Sequence, residues 1–137
     1  MIEDCIFCRI VAGQIPSVKL FEDDRTLAFM DINPSSDGHC LIIPKNHSAT
    51  FFDIPEGDLA AVMHTARKVA LAIKKSLTPD GMRVYQLNGR TAGQIVDHFH
   101  VHLVPIRENV PLVRHGLRAG DMEKIKALGA RIADELV

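Results

Sequence analysis

Cysteine is scarce: three in 137 residues, an odd count that leaves no disulfide framework to hold a small fold. Charge of one sign is also missing. Sixteen Lys and Arg stand against seventeen Asp and Glu, a net charge of −1. That balance excludes a nucleic-acid binder driven by bulk charge, though not a site for one nucleotide. No window reaches the ~18 apolar residues of a membrane span. The acidic start, residues 1–5, carries no apolar run of signal-peptide length, so cytoplasm is the expected compartment. Repeats and low-complexity stretches are absent too. What is present is an ordinary globular composition, 47% apolar and 24% charged. The length suits one domain, which at this size buries roughly two-thirds of its unfolded surface. Histidine is the unusual residue: there are seven, three of them within residues 98–102.

Residues 5–12 predict a short helix ended by Gly13. Val18–Glu22 and Thr26–Asp31 read as strands joined by a turn at 23–25, and Asn33–Gly38 is turn-rich. Cys40–Ile43 is a short apolar strand stopped by Pro44. From Glu56 to Leu77 the apolar residues fall on one helical face, with Asp53 or Asp58 as the expected cap. Thr78-Pro79-Asp80-Gly81 breaks that helix. Met82–Leu87 and Val96–Pro105 read as strands flanking a loop at 88–94, and a last helix runs from its cap Asp121 to about Leu136. The lack of regular βα alternation predicts an α+β fold with an antiparallel sheet of about five strands, in one domain over 1–137.

In a strand, alternate side chains share a face, so His98, His100 and His102 point one way and Phe99, Val101 and Leu103 point into the core. At ~3.3 Å per residue the outer two histidines stand about 13 Å apart, too far to hold one small atom. Different jobs are expected of them, among metal ligand, acid or base, and nucleophile. The preceding loop, Asn88 to Gln94, has two glycines that would let backbone N–H groups approach an anion. Cys5 and Cys8 form a C-x-x-C pair. No thioredoxin-like pattern accompanies it, and a metal site would need two further ligands.

The run Gly93-Gln94-Ile-Val-Asp-His98-Phe-His100-Val-His102-Leu-Val resembles the signature of the histidine triad nucleotide-binding family, H-φ-H-φ-H-φ-φ with φ apolar. Cys5–Ile10, Phe29–Pro34 and Gly38–His47 resemble other family segments in the family's order, so the likeness covers roughly residues 5–106. Residues 107–137 match no shared motif and read only as a variable tail and helix.

The resemblance implies hydrolysis of a nucleoside phosphate at the α-phosphate, a purine nucleoside phosphoramidate among the substrates. The nucleophile would be His100, forming a nucleotidyl-histidine intermediate. His102 would hold the α-phosphate and assist charge or proton movement, and His39 would support the triad. Asn88, Gly93 and Gln94 would approach phosphate, Asp31 would accept from the ribose, and Phe7, Phe29 and Ile32 would line the base pocket. It also implies a structural zinc on Cys5, Cys8, His47 and His98, no metal in the chemical step, and a homodimer that engages neither nucleic acid nor membrane. A dinucleoside polyphosphate hydrolase and a slow-turnover nucleotide-binding module are the alternative readings. One departure stands out: Ile95 follows Gly-Gln, where many family hydrolases carry Ser or Thr to meet the leaving group. Cys40 is expected to be a buried hydrophobe and His64 a boundary residue, while His115 is left unassigned and Arg107, Arg114 and Arg118 are expected in solvent.

Overall fold

The computed structural model describes residues 2–136. Met1 and Val137, the ends of the expected domain, lie outside the described residues. The elements run α1 (Ile6–Val11), β1 (Lys19–Glu22), β2 (Thr26–Met30), β3 (Cys40–Pro44), α2 (Glu56–Leu77), β4 (Gly81–Gln86), a 3-10 turn (Arg90–Ala92), β5 (Val101–Ile106) and α3 (Met122–Asp134). All neighbouring strands pair antiparallel, in the order β1-β2-β3-β5-β4. The expected α+β fold with a five-stranded antiparallel sheet is the fold observed. No helix among the described residues is long and apolar enough to cross a membrane.

The two faces of the sheet carry different cores. Helix α2 lays Val62, Ala66, Val69, Ile73 and Leu77 on one face, against Ala28, Met30, Cys40, Ile42, Val101 and Leu103. Helix α3 extends that core with Ile125 and Ile132. On the other face Leu27, Phe29, Leu41 and Ile43 pack under Cys5, Phe7 and Cys8 of the N-terminal segment. Strands β2 and β3 are therefore buried at every position, and neither alternates between apolar and polar residues as a half-exposed strand does.

Two sequence expectations change. First, the ladder of β5 begins at Val101, so His98 and His100 precede the strand they were expected to share with His102. The alternation survives all the same: Phe99, Val101 and Leu103 enter the α2 core, and the three histidines take the opposite side. Second, neither aspartate caps α2, whose N-cap is Pro55. Asp53 accepts from the N–H groups of Ala49 and Thr50, closing the turn before the helix. Asp58, buried in the first turn, pairs with Arg25 at 2.7 Å. Arg107 is exposed, as expected, and its guanidinium also donates to the Leu77 and Thr78 carbonyls. With Arg131 on the Ser76 carbonyl, it satisfies acceptors that the end of α2 leaves open.

Candidate functional site

Two groups of side chains meet on the α1 side of the sheet. The first is built from the N-terminal segment, the stretch just after β3 and the turn before β5. Cys5 caps α1 by accepting the Cys8 N–H on its sulfur, which places both sulfurs at one end of that helix. His98 is fully buried, and its Nε2–H donates to the Pro44 carbonyl at 2.8 Å. The lone pair of Nδ1 therefore faces the sulfurs of Cys5 and Cys8, at 3.4 and 3.6 Å. His47 closes the group with Nδ1 3.4 Å from the Cys8 sulfur. All four donor atoms lie within 4.8 Å of one another. Metal–sulfur and metal–nitrogen bonds of about 2.3 and 2.0–2.1 Å at tetrahedral angles put S and N roughly 3.5 Å apart. The observed spacings meet that figure, and the Pro44 bond fixes the tautomer that a ligating His98 needs. Cys5, Cys8, His47 and His98 thus fit a closed, tetrahedral metal centre. Burial pushes the Cys5 thiol up and His98 down to about 4.

The second group lies beside it. His100 donates through Nδ1–H to the His98 carbonyl at 2.6 Å, which leaves Nε2 as a lone pair. Phe7 sets an edge against both His98 and His100, with centroids 5.9 and 5.1 Å apart, so α1 touches both groups. His102 enters from β5 opposite Tyr85 of β4, whose ring stacks on it at 4.4 Å and 12°. Its Nδ1 lies 3.0 Å from Nε2 of His39. The direction of that bond is fixed from behind, because the Ser35 N–H donates to His39 Nδ1 at 2.9 Å. A neutral His39 therefore carries its proton on Nε2 and donates to His102 Nδ1. His102 in turn carries its proton on Nε2, a buried atom with no partner among the described residues. Desolvation holds His39 down to about 4 and His102 to about 2, and lowers His100 as well. All three rings are neutral near pH 7, with one lone pair and one N–H side by side.

A cavity of about 190 Å³ opens over these rings. Phe7, Phe29, Leu41 and Ile32 form an apolar wall, Asp31 lies at the edge, and His100 and His102 form the floor. Phe7 and Phe29 are buried in an edge-to-face pair and Ile32 is exposed at the rim. Asp31 holds its own turn by accepting the Asn33 N–H, while its second oxygen stands 3.5 Å from His39.

The glycine loop is braced by its own side chains and backbone. Gln94 accepts the Gly89 N–H and donates to the Ala49 and Val96 carbonyls. Asn88 is held by Gln86 and by the Phe51 N–H. The N–H groups of Ala92, Gly93 and Gln94 bond within the loop. Asn88, Gly93 and Gln94 do not line the cavity, and their polar groups already brace the loop. A phosphate contact from Gln94 would break a bond it makes now.

Cys40 points into the α2 core, away from His39, and burial drives its thiol far up, as befits a packing residue. His64 is exposed on α2. The residue that sequence reasoning left open is His115, which lines the cavity from the tail with its ring 4.8 Å from that of His102. Nothing in the sequence marks it, since the tail bonds that deliver it join backbone atoms only.

The HIT domain family model matches residues 12–109. An adenosine 5'-monophosphoramidase of Schizosaccharomyces pombe is 41% identical over 96% of this chain and 98% of its own. Among solved structures, a Hit-like protein of Bartonella henselae involved in cell-cycle regulation superposes with a TM-score of 0.92, at 34% identity over 99% of this chain and 98% of that one. A Zn-bound histidine triad family protein of Mycobacterium smegmatis gives 0.86, at 33% identity over 97% and 93%.

Proposed function

The chain belongs to the histidine triad family, and on that premise we propose that it hydrolyses nucleoside phosphates at the α-phosphate, a nucleoside phosphoramidate foremost, with His100 as nucleophile. One observation carries the reading: the hydrogen bonds at the back of the site leave a lone pair on His100 Nε2 beside an N–H on His102 Nε2. The first suits attack on phosphorus. The second suits a non-bridging phosphate oxygen, which would satisfy an otherwise unpaired buried donor.

Base and ribose fit the rest of the cavity. The apolar wall of Phe7, Phe29 and Ile32 would take the flat face of a base, and Asp31 would accept from a ribose hydroxyl. Attack by His100 would give a nucleotidyl-histidine, and water would release the nucleotide. The nucleophile needs no preliminary deprotonation, because burial already keeps it neutral. The named activity of the S. pombe relative favours a phosphoramidate over a dinucleoside polyphosphate.

Zinc is the metal we assign to Cys5, Cys8, His47 and His98. The Zn-bound relative and the donor spacing both support it. Four protein ligands leave it no open position, so it would tie α1 to the turn before β5 and take no part in the chemical step. Homodimerisation belongs to the same reading, with β4 as a free sheet edge that exposes Val84.

The test is direct. Adenosine phosphoramidate mixed with the protein and quenched at short times should add one adenylyl group to His100, seen by peptide mass. His100→Ala should lose both the adduct and turnover. Turnover retained by His100→Ala would remove the mechanism, and binding without turnover by the unaltered protein would favour a nucleotide-binding module.

A further inference from the structure

We propose that His115, carried by the tail, is the catalytic acid that protonates the leaving group in this reaction. The proposal rests on the hydrolase reading above and adds a residue to it. Breaking a P–N bond leaves an electron pair on an amine, which must gain a proton as it departs. The imidazoles on the floor of the site cannot supply one. His100 holds its only proton against the His98 carbonyl. His102 has an N–H to offer phosphate, but losing it would leave a buried imidazolate. Burial and neighbouring imidazoles hold its pKa down to about 2, against the cationic form. Ile95 and Val96, elsewhere on the cavity wall, have no side-chain proton to give.

His115 differs in each respect. It lines the cavity beside His100 and His102, is half-buried, and sits toward solvent from which it can be reprotonated. Its ring lies 4.8 Å from His102 and 6.4 Å from both His39 and Tyr85.

Its placement is built into the fold. Residues 113–120 form a strap tied to the β2–β3 loop by three backbone bonds: Val113 N–H to Ser35, Gly116 N–H to Asn33 and Gly120 N–H to Ile32, at 2.9, 3.1 and 2.9 Å. That loop also supplies Asp31 and leads into His39. Gly116 has a φ of +74° and lies so close to Ile95 that an added Cβ would stand 2.5 Å from its Cδ1. The strap therefore rests against Ile95, whose own side chain offers no proton, and brings His115 to that side of the cavity.

The step balances. The His100 Nε2 lone pair forms the N–P bond. The bond from phosphorus to the leaving nitrogen breaks with its electron pair on that nitrogen, which takes a proton from the His115 imidazolium. In the second half, neutral His115 accepts a proton from attacking water, and the N–P electron pair returns to His100.

Two adenosine 5'-phosphate derivatives separate this from a packing role: an alkylamine phosphoramidate, whose leaving group needs a proton, and a 4-nitrophenyl ester, whose leaving group departs as an anion. In His115→Gln and His115→Phe, the single-turnover rate of leaving-group release should fall roughly 100-fold for the phosphoramidate and by less than about threefold for the ester. Equal losses on both substrates, or no loss on either, would overturn the proposal while leaving the hydrolase standing. Unaltered protein inert toward both substrates would overturn the hydrolase reading and this acid with it.

Discussion

The Nε2 of His39 lies 3.0 Å from the Nδ1 of His102, and the Ser35 N–H behind His39 makes His39 the donor. That single bond decides which nitrogen of His102 carries the proton facing the cavity. His39→Gln can keep an N–H near the same place, whereas His39→Ala cannot. The alanine variant should lose roughly 10- to 100-fold in kcat/KM, as removal of orienting partners commonly does, with the glutamine variant retaining more. Nitrogen chemical shifts of His102 should show the proton on Nε2 in the unaltered protein and a mixed tautomer in His39→Ala. An unchanged tautomer in that variant would separate the activity of the site from this bond.

The four-ligand group gives a second prediction. Protein made without added metal should carry about one zinc per chain by elemental analysis, because four sulfur and nitrogen donors stand within 4.8 Å of one another. Cys8→Ser removes the sulfur that faces both His47 and His98, at 3.4 and 3.6 Å. It should lose most of the metal and lower the thermal midpoint by several degrees, since metal binding to this preformed site is also folding free energy. Metal content and midpoint both unchanged in Cys8→Ser would dismiss the site.

Burial of His39 produces a pH dependence with a definite sign. Its native pKa is pushed to about 4, chiefly by desolvation, while the unfolded chain titrates near the ordinary histidine value of about 6.5. Between these values the unfolded state binds more protons, so stability falls as pH falls through that window. From pH 7.5 to pH 5 the loss traceable to His39 is roughly 2 kcal/mol. Urea midpoints across that range should fall less steeply in His39→Gln, which cannot titrate. Parallel curves for the two proteins would count against a neutral, buried His39.

Much of the fold and part of the site could be read from the residues. The helical stripe of α2, the breaker at Thr78–Gly81 and the alternation around Phe99 and Val101 each have a local cause, and each held. The start of β5 was misplaced because alternation records which face a side chain takes, whereas a ladder needs a partner strand, and β3 pairs only from Val101 onward. The motif marks Gln94 as a residue of the site, but its bonds to Gly89 and Ala49 depend on chain folding that no spacing reveals. His115 was undecided for the same reason: backbone atoms of the tail bond to backbone atoms of Ile32, Asn33 and Ser35, and backbone has no signature in the sequence.

Gly38 joins stability to the site. Its φ of +93° lies where side chains are strained, and an added Cβ would stand 2.7 Å from Leu77 Cδ1 and 3.1 Å from Pro105 Cγ. Leu77 is buried at the end of α2 and Pro105 is a buried residue of β5, so neither can retreat cheaply. Gly38→Ala should therefore cost about 1–3 kcal/mol, combining backbone strain with overpacking. Because His39 is the next residue, the same shift should disturb the His39–His102 bond and reduce turnover together with stability. Gly81→Ala is the control, since an added Cβ there meets nothing within 4 Å. It should stay within about 0.5 kcal/mol of the unaltered protein. Urea midpoints and turnover measured on both variants decide the point: a Gly38→Ala protein as stable and as active as Gly81→Ala would mean that the β2–β3 loop yields freely and that its geometry does not set the position of His39.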